Sequence, residues 1–101
     1  MTTKDEMRAR YVEGLDILPR HMHGGISRYM ERGIEPGSFM FSMLRGETDR
    51  AMLSADPENT AFKDEWLRFL AEFLPAESHG TPLKVSAWMK MGGLTGFPDA
   101  E

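Results

Sequence analysis

"ADPENTAFKDEWLRFLAEFLP", residues 55–75, carries the strongest periodic signal in the chain. Phe62, Trp66, Phe69, Leu70, Phe73 and Leu74 recur at helical intervals, and a 3.6-residue repeat gathers all six on one side. Asp56 and Pro57 mark a start, because the carboxylate can accept an orphan amide and a first-turn proline has none to lose. Pro75 marks the stop. The spacing predicts one amphipathic helix over residues 57–74, with its aromatic ridge as the spine against which the other segments pack.

Toward the C terminus, Thr81 and Pro82 repeat the same start. Val85, Trp88 and Met89 form the next apolar face, and Gly92 and Gly93 end it. "LTGFPDAE", residues 94–101, reads as a flexible tail whose Leu94 and Phe97 can dock on a neighbour. Toward the N terminus, Ala51, Met52 and Ala55 predict a short helix capped by Thr48 or Asp49. Phe39, Met40, Met43 and Leu44 form another stripe, ended by Gly46. Met22, Ile26, Tyr29 and Met30 form a third, closed by Gly33 with Ile34 folding back on Tyr29. Gly24 and Gly25 oppose that helix at about 1 kcal/mol each, unless a neighbour approaches closely or the helix starts after them. Thr3 and Glu6 form a capping box ahead of Met7, Tyr11 and Leu15, with Gly14 as the end of that turn. Pro19 fits the first turn of the helix that follows. No strand alternation competes, and every connection is short. The expected fold is all-α: a single compact domain of four to six short helices packed around a central amphipathic helix, with an N-terminal helix or arm at 1–17, a core at 18–93 and the tail at 94–101.

The chain has 101 residues, 41 % of them hydrophobic and 28 % charged, which suits one small folded core. Its formal charge is −4 and its basic residues are scattered, so duplex nucleic acid is not an expected partner. The absence of Cys excludes disulfides, thiolate metal sites and cysteine nucleophiles, and it fits a reducing cytoplasm. No apolar run reaches membrane-spanning length, so no membrane partner is expected, and "MTTKDEMRAR" is no signal peptide.

Chemical motifs are sparse. His21 and His23 stand two apart, about 200° around a helix, so they do not converge on one ion, and His79 is remote. No serine sits in GxSxG or SxxK surroundings. No metal, cofactor or catalytic residue is expected. Two helix starts remain, Gly37-Ser38 and Gly80-Thr81. There unpaired amides and the helix dipole favour an anion, although a hydroxyl that caps its own helix is the commoner use. Arg28, Arg32, Arg45 and Lys84 can supply charge, and Tyr29, Trp66 or Trp88 a stacking surface. Nine methionines offer a further feature, for thioethers suit adaptable interfaces as well as cores, and Met40 and Met43 are the candidate interface residues.

The strings "LPRHMHGGISRYMERGIEPGSFMFSMLRG", "SADPENTAF", "WLRFLAEFLP" and "HGTPLKVSAWMKMGG" together resemble a widespread family of small proteins of tailed phages and prophages. The likeness runs from Leu18 to Gly93. It is carried by Pro19 and Met22, Arg28-Tyr29, Gly33-Ile34, Pro36-Gly37, Phe39, Asp56, Asn59, Gly80, Pro82 and Trp88. The chain departs from the pattern at Gly46-Glu47, Thr81 and His79, where similar proteins often carry Asn-Asp, Ser and an aromatic. The resemblance implies a non-structural phage accessory protein, of a kind that commonly binds and blocks a host component, defence systems included. The expected function is therefore non-enzymatic inhibition or redirection of a host component in the host cytoplasm, through Met40 and Met43, with self-association as a further way to hide apolar surface. The alternative is sequestration of a phosphorylated signalling nucleotide by Arg28, Tyr29, Gly37, Ser38, Gly80, Thr81, Lys84 and Trp88.

Overall fold

In the computed structural model, which describes residues 3–98, the segment from Asp56 to Pro75 is helical but divided. The Asp56 carboxylate accepts the Asn59 amide at 2.7 Å, and Pro57 opens helix α5 (Pro57–Ala61). At Phe62 the chain tightens. Its amide is shared between the carbonyls of Glu58 and Asn59, and the Thr60 hydroxyl donates back to the Asp56 carbonyl at 2.9 Å. Such back-bonding bends a helix, and α6 (Lys63–Phe73) starts afresh beyond it. The single helix expected over 57–74 is thus two. The aromatic ridge survives the break: Trp66, Phe69, Leu70 and Leu74 are buried, while Phe62 and Phe73 pack at the margin. Trp66 meets Phe39 and Phe69 edge-on, with ring centres 5.2 and 6.2 Å away, the geometry that ring quadrupoles favour.

The other helices are α1 (Lys4–Gly14), α2 (His23–Arg32), α3 (Ser38–Leu44), α4 (Thr48–Ser54) and α7 (Pro82–Met91). Short 3₁₀ turns at Leu15–Ile17, Arg20–Met22, Ala76–Ser78 and Gly93–Gly96 fill the connections. No strand occurs among the described residues, so the fold is a small all-α single domain of seven helices, the seventh arising from the break at Phe62. Its radius of gyration is 12.7 Å, close to the ~13 Å of a compact chain of this length. No helix among the described residues is long and apolar enough to cross a membrane.

Several local expectations acquire different causes. The Thr3–Glu6 capping box forms as read, at 3.0 and 3.2 Å. Gly14, however, keeps a right-handed φ of −66° and does not turn the chain. It is small because a Cβ there would lie 2.5 Å from Cγ of Phe73, where α1 packs against α6. Pro19 precedes the Arg20–Met22 turn rather than opening α2. Gly24 and Gly25 sit within the first turn of α2, and the side chains of Arg28 and Met40 lie over them. Thr48 and Asp49 are inside α4. Glu47 takes its cap position without a side-chain bond, because the chain enters α4 from the left-handed Gly46. The closure read at Gly33 forms, with the Gly33 amide donating to the Tyr29 carbonyl at 2.9 Å and the Ile34 amide to the Arg28 carbonyl at 3.4 Å, while the Ile34 side chain stays 44 % exposed.

The C-terminal ends of α2 and α7 cross at bare backbone. Gly33 closes α2 at φ 67° and Gly93 follows α7 at φ 65°. A Cβ on Gly93 would stand 2.6 Å from the Met30 carbonyl and 2.7 Å from the Gly33 amide. Beyond the crossing, Leu94 is buried and the Phe97 ring lies 5.9 Å from that of Trp88. The stretch expected as a tail from residue 94 therefore folds onto the domain through Phe97, with Leu94 in the core, Phe97 at its margin and Thr95 and Gly96 exposed. Residues 99–101, and residues 1–2 of the N-terminal arm, lie outside the described residues.

Gly93→Ala is expected to destabilise the protein by more than about 2 kcal/mol, since a left-handed alanine alone costs roughly 1–2 and the atoms it meets are backbone that cannot yield. Gly37→Ala, at φ −65° with nothing within 4 Å of the added carbon, should stay within about 1 kcal/mol. Urea unfolding of both variants measures the contrast.

Candidate functional site

Helix α3 has two distinct stripes. Phe39, Met40, Met43 and Leu44 face the core and are all buried. Ser38, Phe41, Ser42 and Arg45, at i, i+3, i+4 and i+7, share the opposite side. On α4, Arg50 and Ser54 stand four apart and share a face as well. The two helices pack as a hairpin through Arg45, Gly46 and Glu47, and a cleft of about 310 Å³ opens between these polar stripes, lined by Ser38, Phe41, Ser42, Arg45, Glu47, Arg50 and Ser54. The volume is at the lower end of small-ligand sites, which start near 300 Å³.

The hairpin corner is held from outside. Gly46 at φ 80° passes so close to Gly80 that a Cβ would lie 2.5 Å from the Gly80 carbonyl oxygen. The Gly80 amide donates to the Leu44 carbonyl at 2.7 Å. Within the cleft, the Arg45 guanidinium lies over the Phe41 ring, 4.9 Å from its centre, a cation–π contact that holds its plane. Arg45 Nε is 3.6 Å from Glu47 Oε1, an ion pair too long for a hydrogen bond. Both atoms are inaccessible to solvent and have no hydrogen-bond partner among the described residues. A buried donor or acceptor without a hydrogen bond costs about 1–3 kcal/mol, more when it is charged, and the attraction within this ion pair offsets part of that cost. Ser42, 9 % exposed, lines the same cleft.

The residues singled out from sequence fall elsewhere. Met40 and Met43 are buried, so neither can present an interface; the core takes the whole apolar stripe of α3. Tyr29 and Trp88 are buried too, and no ligand can stack on them. The Tyr29 hydroxyl donates to the Ser78 carbonyl at 2.6 Å, and Trp88 Nε1 donates to the Tyr29 carbonyl at 3.1 Å. Burial pushes the Tyr29 phenol well above its usual range. Thr81 caps α7 by accepting the Lys84 amide at 3.2 Å, while Gly37, not Ser38, occupies the α3 cap position. Arg28 and Lys84 are exposed on α2 and α7. Of the predicted ligand set, only Ser38 reaches the cleft. Of the four cations named as complementary charge, only Arg45 does.

The histidines are divided among separate partners. His21 lies between Asp56 at 2.9 Å and Glu58 at 3.2 Å, and His23 meets the Leu18 carbonyl at 3.0 Å. No group of three His, Cys, Asp or Glu side chains among the described residues can hold a metal ion. A second polar cluster, invisible in sequence, ties α1 to α2. Arg8 and the Tyr11 hydroxyl both bond the Glu31 carboxylate, at 2.7 and 2.6 Å. Burial and the adjacent Glu31 push the Tyr11 phenol up to about 12, and the Arg8 bond holds Glu31 below the usual carboxylate range. These groups satisfy one another and leave no side chain for a ligand.

Comparison of the chain with family models, with curated proteins and with solved structures gives no match.

His79 supports the strap that holds the hairpin corner. Its Nδ1 lies 3.1 Å from the Pro75 carbonyl, and burial lowers its pKa below the ordinary 6.5. The unfolded chain then binds the proton more readily, so stability present above pH 6.5 is lost as pH falls from 6.5 toward the folded-state value. Glu31 acts only at lower pH, below its ordinary 4.5. Thermal melts of the wild type should lose stability first in the histidine window, and His79→Gln should flatten that limb while leaving the carboxylate limb in place.

Proposed function

We propose that this chain is a phage accessory protein that acts by binding, and that it captures a small anionic molecule of its host in the host cytoplasm without turning it over. The α3–α4 cleft carries this reading. It places Arg45 and Arg50 with three serine hydroxyls around one small volume, on a protein whose overall charge is −4. Guanidinium and hydroxyl donors that converge in a partly dry pocket bind oxyanions more strongly than the same groups in open water. The phage-like sequence pattern supplies the setting. The phosphorylated ligand expected at the helix starts is assigned instead to the cleft, of which Ser38 forms one edge.

Titration with inorganic phosphate, followed by amide chemical shifts, is expected to give saturable changes centred on Ser42, Arg45 and Arg50. Arg50→Gln, an exposed change, should weaken binding at least about fivefold by removing one charged donor, with an unchanged melting temperature. Absence of saturable shifts at these residues would reject the proposal.

A second reading, inhibition of a host protein, is favoured by a different observation. Leu53 on α4 and Leu83 on α7 are 89 % and 81 % exposed, and aliphatic side chains left in water favour a partner that covers them. If they make the contact, the double variant Leu53→Glu, Leu83→Glu stays folded but loses capture of host protein from lysate. Retained capture would remove those side chains from the interface.

A further inference from the structure

Two helices present outward faces that nothing among the described residues covers. On α1 the core takes Met7, Tyr11 and Gly14, so Asp5, Ala9 and Val12, at i, i+4 and i+7, lie on the far side, and all three are exposed. On α7 the core takes Val85 and Trp88, and Leu83, Ala87 and Lys90, at the same intervals, are exposed. Val12 is 49 % exposed and Leu83 81 %. The two faces are opposite in charge. Helix α7 has Lys84 and Lys90 and no acidic residue. Helix α1 carries Asp5, Glu6 and Glu13, while its arginines are turned onto their own domain: Arg8 bonds the Glu31 carboxylate and Arg10 Nε donates to the Glu72 carbonyl. The Asp5–Arg8 pair, 3.5 Å apart in open solvent, is too weak to cancel the charge of Asp5.

The order of these residues selects one arrangement. Laid antiparallel, Asp5 meets Lys90, Ala9 meets Ala87 and Val12 meets Leu83, and the two alanines let the backbones approach to about 8 Å, the short end of helix spacing. Glu13 lies next to Val12 and Lys84 next to Leu83, on the like flanks that come together in an antiparallel pair, so an ion pair closes each end. A parallel arrangement sets Asp5 against Leu83 and Val12 against Lys90, which strands both charges on aliphatic carbon. The surface of α1 is already concave at this point, where Glu6, Ala9, Arg10 and Glu13 line a groove. We infer that α1 of one copy of this chain packs antiparallel on α7 of a second copy. The contact is heterologous, one patch against a different one. Two helices about 15 Å long bury less than about 1,200 Å², the range of weak and transient contacts, so the association is reversible and salt-sensitive. It is independent of the α3–α4 cleft, and it assigns Leu83, but not Leu53, to a second copy.

Sedimentation equilibrium of the wild type between about 10 μM and 1 mM is expected to show a mean mass that rises with concentration, and the rise should shrink between about 0.05 and 0.5 M salt. Lys84→Glu with Lys90→Glu, and separately Asp5→Lys with Glu13→Lys, should each weaken association at least about tenfold, because like charges then face each other. An equimolar mixture of the two double variants restores it, since the reversed α7 of one meets the reversed α1 of the other, and that recovery also shows both to be folded. Ala87→Gln, neutral and exposed, should weaken association by a similar factor by holding the backbones apart, and it decides the matter if a charge variant does not fold. A wild type that stays monomeric throughout overturns the contact and leaves the α7 face to the host-protein reading. Association that survives either double variant, or a mixture of folded variants that stays monomeric, overturns the pairing of α1 with α7.

Discussion

Tyr29 is held at both ends, and the arrangement of the C-terminal half follows from that. Its carbonyl accepts the Trp88 indole and its hydroxyl reaches the Ser78 carbonyl, so one fully buried residue of α2 ties down α7 and the turn before it. Buried donors of this kind cannot be left unpaired without losing the full desolvation cost. The register of α7 against α2 is therefore set by hydrogen bonds as well as by packing. The bare-backbone crossing at Gly33 and Gly93 then brings Leu94 and Phe97 into the core. Trp66 repeats the device locally, with its indole donating to the buried Asn59, whose amide in turn meets Met22 Sδ.

The cleft is a consequence of the same packing. Residues 78–80, fixed by Tyr29, carry the Gly80 amide that bonds Leu44 and the carbonyl against which Gly46 passes. That contact sets the corner of the α3–α4 hairpin and the spacing of its two helices. With Phe39, Met40, Met43 and Leu44 taken up by the core, the remaining stripe of α3 has only α4 to face. A hydroxyl, a guanidinium and a carboxylate are thus left together in a small volume, partly screened from water, where electrostatic interactions are stronger than on open surface.

Much of this was legible in the residues. The 3.6-residue spacing located the apolar faces of α2, α3, α6 and α7, and caps at Thr3, Asp56 and Thr81 formed where a hydroxyl or carboxylate preceded the helix. The methionines show where legibility ends. Periodicity states that Met40 and Met43 share an apolar side, but not whether core or partner covers it. The polar stripe of α3 was equally visible at i, i+3, i+4 and i+7. Nothing local said that Arg50 and Ser54 would stand opposite it, because that depends on a backbone contact at Gly80, more than thirty residues away along the chain.

By itself the sequence determined the helical class, the approximate helix bounds and the inward faces, since these follow from side-chain spacing and from which residues can cap or break a helix. Tertiary structure alone decided the burial of Leu94, the need for a small residue at Gly14 and the meeting of Arg45 with Arg50 and Glu47 in one cleft. Each of these depends on which distant surface arrives at a given side chain. A one-dimensional pattern encodes the direction a residue points, not what it meets there.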